Sequence, residues 1–415
     1  MEAAAIPLSP EDRAILELES PRIAGHTCKV IVLADGRPEI GELRDAVVSR
    51  LEAAPELLRR LDGPADAPVW TQDPELDPAA HIVSAGAAEM DPNGLREAVG
   101  GLFAQRLDRS RPLWRIDVLP LDQGGCALVW RIHHALADGT TAVRLARAVL
   151  FDEGDLTGKA PGRSPAAHAA EDDARRRHHL AGLLHREFAR SRSRSPFDAR
   201  IGTRREVEFA RIPLRPLHDG AKRLASATLN DAVLACVAGG LRRWIEQHHG
   251  KLDDLRVKVP VSLHQQGDAV GNRDSYFSLC LPVSQSSSLE RLRQIHAESV
   301  ERKEAHDAKE IDDLTRELAR VAPRMEHLAK RLESSPRRFA LNVSNVPGPP
   351  ERMTILGKRV ASVHSFAEIG ERHALRIAAL SYAGDLYLGL CADPEVVHDL
   401  GDLARAIEEE AHAFV

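Results

Sequence analysis

The amino-acid sequence predicts an α/β protein built as two halves joined by a crossover segment. Three observations predict it. Apolar runs rich in strand formers alternate with stretches of three- and four-residue apolar spacing in residues 1–158 and again in 214–415. Between them the composition shifts, since Lys159 to Arg205 is dense in Arg, Ser, Pro and Ala and poor in branched apolar residues, so 159–213 reads as the linker. The chain has 415 residues, 43 % of them hydrophobic, enough to bury the cores of two or more domains.

The element that organises the first half is the run from Cys126 to His134, which reads as a buried strand closing at a loop. A helical period begins at Ala142, with Leu145, Ala146, Val149 and Leu150 on one side and Thr140 or Thr141 available as its cap. Within the linker, Asp172 to Arg190 can form a helix bearing Arg175, Arg176, Arg177, Arg186 and Arg190. A solvated face explains that patch most simply, and contact with an anionic membrane surface or with the phosphates of coenzyme A is the functional alternative. The second half opens with a helix from Thr228 to about Trp244, with Asn230 and Asp231 in its first turn as cap residues. Ser286 to about Ser334 is mostly helical, with Leu289, Leu292, Ile295 and Val300 on one broad apolar face. His373 to Leu390 reads as two strands around a turn at Ala383-Gly384-Asp385, and Pro394 starts a terminal helix.

The candidate chemistry lies in His133-His134-Ala135-Leu136-Ala137-Asp138-Gly139, where a strand ends in two imidazoles and an acid and a glycine follow in the turn. With a period of two, His134 projects with Leu128, Trp130 and Ile132, and His133 with Val129 and Arg131. Imidazoles that face opposite ways do not converge on one ion, and no third His or Cys lies at ligand spacing, so no metal is expected. A neutral imidazole with an ordinary pKa near ~6.5 suits general base work. Asp138 fixes local structure by binding the backbone of its own turn or an arginine, and Gly139 permits a backbone conformation that other residues resist. Read in isolation, the pair is more simply two core histidines at a strand end. His178-His179 and His248-His249 lack the following Asp-Gly turn and receive no role.

Composition narrows the classes. A net charge of −6 gives no general attraction to nucleic acid or anionic lipid. The five cysteines Cys28, Cys126, Cys236, Cys280 and Cys391 are scattered and show no CxxC spacing, which suits a reducing cytosol. No apolar run approaches the ~18 residues of a membrane span, and no secretory signal is read at the N-terminus. A cytoplasmic protein is expected, with peripheral contact to a membrane or lipid droplet as the further possibility. Nothing in the sequence defines the oligomeric state.

The His-His turn and its surroundings resemble the bacterial wax ester synthase/diacylglycerol acyltransferase family in order along nearly the whole chain. Pro7-Leu8-Ser9-Pro10-Glu11-Asp12 resembles the family's opening, and Trp70, Leu76-Asp77 and His81 its next block. Pro112-Leu113-Trp114 matches its Pro-Leu-Trp motif, and Leu229-Asn230-Asp231 its Asn-Asp helix. Val259-Pro260-Val261-Ser262 with Gly271-Asn272, then Asn342 to Pro349, then Ser381-Tyr382-Ala383-Gly384, resemble later blocks. Two features depart from the pattern: the joining segment from Asp152 to Pro213 is shorter than the family's, and aromatic residues are only 4 % of the chain, leaving Ala, Leu and Val to line a lipid tunnel.

The resemblance implies two chloramphenicol acetyltransferase-like domains, each a mixed sheet with covering helices. It also implies an O-acyltransferase that moves a fatty acyl group from acyl-CoA, as co-substrate and without further cofactor, to a long-chain alcohol or diacylglycerol. His134 would take the hydroxyl proton as the oxygen attacks the thioester, with His133, Asp138 and Gly139 completing the motif. Asn230 would orient the imidazole or polarise the carbonyl, with Asn272 a weaker candidate for the same task. Pro112, Leu113, Trp114 and Asp231 would be binding or structural residues. No Cys or Ser stands in a nucleophile elbow, so direct transfer is expected over a covalent route. Two alternatives stand beside this: a natural-product acyltransferase using another hydroxyl, an amine or a carrier-protein thioester, and a non-catalytic lipid-binding protein.

Overall fold

In the computed structural model, the described residues are 5–152, 195–262, 274–304 and 339–415, apart from positions 65–66, 74, 87, 123 and 252. The basic helix expected over 172–190, His178-His179 and the Gly271-Asn272 pair fall outside them. The first half runs β1 (Ile6–Pro7), α1 (Pro10–Leu18), β2 (His26–Leu33), α2 (Ile40–Ser49), β3 (Arg59–Asp62) and β4 (Val69–Gln72). It continues with α3 (Pro78–His81), β5 (Ile82–Ser84), α4 (Pro92–Phe103), β6 (Trp114–Pro120), β7 (Cys126–His133) and α5 (Gly139–Val149). The second half contains β8 (Glu206–Pro213), α6 (Leu214–Ala225), α7 (Leu229–His248), β9 (Leu255–Ser262), β10 (Asp274–Leu281) and α8 (Ser288–Glu304). It ends with β11 (Leu341–Pro347), β12 (Thr354–Ile355), β13 (Lys358–Ala367), β14 (Leu375–Tyr382), β15 (Asp385–Ala392) and α9 (Leu400–Ala411).

Two six-stranded mixed sheets result, in the orders β12-β13-β2-β7-β6-β5 and β10-β9-β11-β14-β15-β8. This is the expected α/β architecture, but the strands do not divide where the composition does. Residues 206–213, placed in the linker, form β8, which pairs with β15 along its whole length. β12 and β13, from the second half, complete the first sheet, with Phe366 opposite Cys28 and Ser365 opposite Lys29. A composition shift marks where the chain leaves a core, and it carries no record of which sheet a later strand joins.

β7 is buried along its whole length because both of its faces are covered. Leu128, Trp130 and Ile132 enter a core shared with α2 and α5, while Ala127 and Val129 enter the core that holds α4 and the second half's helices. The period of two predicted for this strand therefore separates two different cores. On the second face, Arg131 is neutralised by Asp117 (Nη2 to Oδ2, 2.9 Å) and donates to the carbonyls of Leu102 and Gln105, as a buried cation requires. The two sheets approach closely where β13 packs on β15. A Cβ on Gly389 would stand 2.2 Å from the Ser365 carbonyl oxygen, so no larger residue fits there.

Several local expectations are corrected. α5 is capped by Asp138, whose Oδ1 accepts the Thr141 N–H at 2.6 Å, and neither threonine serves as the cap. α7 is capped by Thr228, with the Asp231 carboxylate returning to the Thr228 N–H in a reciprocal box. The turn after β14 is formed by Ala383 and Gly384, both at positive φ, as expected. The last helix begins at Leu400, since Pro394 lies in a turn that Asp393 holds by accepting the Glu395 N–H.

Candidate active site

The site forms where β7 ends. His133, at the strand's last position, donates its backbone N–H to the Leu113 carbonyl, and the His134 N–H goes to the Gly25 carbonyl, both at 2.9 Å. Pro112-Leu113-Trp114 thus grips the backbone of the His-His pair from the neighbouring strand. Trp114 is buried as an anchor, its indole N–H donating to the Leu57 carbonyl at 2.8 Å, while the His81 imidazole sits 2.7 Å from its carbonyl oxygen. All three motif residues expected as binding or structural residues, Pro112, Leu113 and Trp114, are buried.

The two imidazoles differ in kind. His133 is 0 % exposed, and its Nδ1 accepts the Ala135 N–H at 3.1 Å, which leaves the ring proton on Nε2. Glu19, at the C-cap of α1, presents Oε1 at 2.7 Å from that Nε2. Burial alone would raise the Glu19 carboxyl, but His133 and Arg109 against it hold it below its ordinary range. Arg109 secures the far oxygen, Nη2 to Oε2 at 2.9 Å. Gly25, at φ +74, passes so close that a Cβ there would lie 2.6 Å from His133 Nε2. Enclosed in this way, His133 holds the turn together.

His134 is half-buried and sits at the turn itself. Burial, with the Arg376 guanidinium beside it, pushes its imidazole down to about 4, and the Asp138 carboxylate opposes the shift only in part. The ring is therefore uncharged at neutral pH. Arg376 comes from β14 of the second sheet and donates to the Glu368 carbonyl at 2.9 Å. Lys29 of β2 also contributes to the positive field at His134.

Gly139 differs from its expectation. It takes up the first helical position of α5, with no positive φ, and its role is steric: a Cβ there would lie 3.3 Å from Cγ2 of Val346 on β11. The glycine lets the second sheet close on the turn. β11 pairs in parallel with β14, Asn342 opposite Arg376 and Val346 opposite Leu380, so the sheet face that meets the turn also carries Arg376.

Other candidates are not brought to this point. Asp231 spends its carboxylate on the cap of α7 and on His296 Nδ1 at 2.9 Å. Asn230 is half-buried in the first turn of α7, and among the described residues no hydrogen bond joins it to the His-His turn. His248 stacks on Trp244 at the end of α7. Sequence reasoning missed Glu19 and Arg376, which lie far from the motif in sequence. It also passed over Lys29, whose only local signal is a charge inside an apolar strand. Among the described residues, no cluster of three or more His, Cys, Asp or Glu side chains is arranged to hold a metal. No single described helix is long and apolar enough to cross a membrane.

Comparison with known proteins gives this geometry a context. The family model for the wax ester synthase/diacylglycerol acyltransferase catalytic domain matches residues 8–190, and the model for the family's C-terminal domain matches 270–414. A putative diacylglycerol O-acyltransferase of Mycobacterium tuberculosis is 30 % identical over 94 % of this chain and 92 % of its own. The chain belongs to the wax ester synthase/diacylglycerol acyltransferase family. It is therefore an acyltransferase of that family. A second Mycobacterium tuberculosis relative, the probable diacylglycerol O-acyltransferase tgs1, is 29 % identical over 84 % of this chain and 81 % of its own. Among solved structures, the wax ester synthase/diacylglycerol acyltransferase from Marinobacter aquaeolei superposes with a TM-score of 0.74 at 23 % identity, covering 99 % of this chain and 98 % of its own. The starter condensation domain of rhizomide synthetase, solved with C8-CoA, gives 0.64 at 16 % identity, covering 99 % and 95 %. These structures share the fold of two mixed sheets with covering helices.

Proposed function

We propose that this family member transfers a fatty acyl group from acyl-CoA to the hydroxyl of a long-chain alcohol or diacylglycerol, with His134 as general base and no covalent acyl-enzyme. The single observation that carries the assignment is the contrast between the two imidazoles. His133 is sealed by Glu19, Gly25 and the Ala135 N–H, whereas His134 is half-buried at the turn and uncharged at neutral pH. A neutral ring can take the hydroxyl proton as the alcohol oxygen attacks the thioester carbonyl. The proton then passes to the departing sulfur as the tetrahedral intermediate collapses to ester and coenzyme A.

The oxyanion needs a preorganised donor, typically worth ~3 kcal/mol of barrier. Asn230 is a candidate for that task through the family resemblance alone. Acyl-CoA as donor is supported by the fold shared with a domain solved with C8-CoA, and diacylglycerol as acceptor by the names of relatives. The cysteines do not compete as nucleophiles: burial raises the thiol of Cys28 to about 12 and that of Cys126 to about 11 and raises those of Cys236 and Cys391 further still, while the surface Cys280 is raised to about 12 by partial desolvation with Glu298 and Asp254 beside it.

The test is thiol release from palmitoyl-CoA by wild type and His134→Ala, with hexadecanol, a diacylglycerol and no acceptor. Release that requires both an acceptor and His134, with a loss of roughly 100-fold or more in the variant, is the expected result. Full activity in His134→Ala would remove the base from this residue. Release only with an amine or with a carrier-protein thioester would move the substrate assignment to that chemistry.

A further inference from the structure

Lys29 is the residue that the apolar patterning of its strand does not explain. β2 is a central strand of the first sheet, buried almost throughout, and Lys29 lies in its middle, opposite Trp130 of β7 and Ser365 of β13. It is only 3 % exposed. Its ammonium donates to Ser365 Oγ at 2.6 Å, a neutral partner. A buried ammonium with a neutral hydrogen-bond partner is a costly arrangement. The face it occupies is the one that carries Trp130 and Ile132 and leads to His134 at the strand end.

Resting on the general-base reading above, we propose that Lys29 is a positioning residue of the acyl-transfer centre, a fixed cation beneath the His-His turn that sets the charge around His134. The groups that face this point come from every element around it. His133 and His134 lie at the end of β7, Asp138 in the turn, Arg376 on β14, Lys29 and Cys28 on β2, and Ser365 on β13. Among the described residues, two cations and one carboxylate act on the imidazole, and Lys29 adds positive charge to its surroundings. That charge disfavours an imidazolium before the reaction. It also favours the negative charge that appears on the thioester oxygen as the alcohol attacks. Burial brings the Lys29 ammonium down to about 8, with Asp138 supporting the charged form, so the cation is present at neutral pH. Ser365 fixes its position, and the exchange of β13 into the first sheet is what supplies Ser365.

The experiment is the pH dependence of kcat/KM for thiol release, from pH 3.5 to 8, in wild type, Lys29→Met, Lys29→Gln and Lys29→Arg. Without the cation the acid limb is expected to rise by about one pH unit, the size of effect that one partly screened neighbouring charge gives. Lys29→Arg should restore the wild-type limb. A residue that merely fills space would alter stability without moving the limb. If Lys29→Met does not fold, Lys29→Gln, which keeps a donor for Ser365, carries the same comparison. Superimposable profiles for wild type and a folded, uncharged variant would overturn the proposal. Its failure is distinct from failure of the base assignment, which His134→Ala tests independently.

Discussion

Replacement of Glu19 tests whether the buried histidine holds the turn. Glu19→Ala removes the acceptor 2.7 Å from His133 Nε2 and the partner of Arg109. The two losses are unequal. Arg109 is 48 % exposed, so water can solvate it and little stability is lost on that side. His133 is fully enclosed, and its orphaned ring N–H costs about 1–3 kcal/mol by itself. The small cavity left by the carboxylate adds to this, so a loss toward the upper end of that range is expected. Glu19→Gln keeps an oxygen for His133 and is expected to cost about 1 kcal/mol. Because the His134 backbone is bonded to Gly25, which itself touches His133, loosening the ring also displaces the base. A misplacement of ~1 Å can reduce turnover on the order of 100-fold. Urea unfolding and thiol release, measured on the same preparations, check both effects. Glu19→Ala with a midpoint within experimental error of wild type and unaltered turnover would refute the idea that His133 acts through this contact.

The pH behaviour follows from His134. Its folded imidazole titrates near 4 against about 6.5 in an unfolded chain, so between those values the unfolded state binds more protons and stability falls as pH falls. The window is worth on the order of 3 kcal/mol, and urea midpoints in His134→Ala should depend less steeply on pH than in wild type. Thiol release should hold its neutral rate well below pH 6.5, and a limb centred at 6.5 would contradict the buried, cation-flanked ring. Gly25→Ala must place a Cβ 2.6 Å from His133 Nε2 at a positive φ, and a loss of about 2 kcal/mol or more in thermal or urea unfolding is expected. Wild-type stability in that variant would mean the loop adjusts freely. Gly139→Ala, by contrast, meets only Val346 Cγ2 at 3.3 Å and should fold, with any effect confined to turnover.

Much of the architecture was legible because it rests on local periodicity. β7, α5, α7 and the β14–β15 hairpin fall close to where the apolar patterns put them, since each buries a face defined by residues two, three or four apart. The His-His turn was legible as well, because it is contiguous. What could not be read are relations across the chain. Glu19 and His133 meet only because α1 ends beside β7, and the Lys29–Ser365 contact spans 336 positions of sequence. Asp138 reads as structural from its place in the turn, but an acid there can serve a backbone N–H as well as an arginine, and the cap becomes visible only with the helix start at Gly139. Gly139 suggests a backbone role from sequence, whereas its reason is the close approach of Val346, a residue on the opposite sheet.

The insertion of β13 into the first sheet has a consequence for how this protein is made. Thr27 and Phe366, joined by a side-chain hydrogen bond, lie 339 positions apart. Until residue 367 has been synthesised, β2 is an open edge, presenting a long and largely apolar ladder to any other chain it meets. Nascent chains of the first half therefore pass a long interval of translation with an adhesive border, and dependence on chaperones during synthesis follows from strand order alone. The same border would remain on any fragment that stops short of β13, so expression of the first half by itself is expected to give aggregates, and supplying the second half in trans should rescue its solubility.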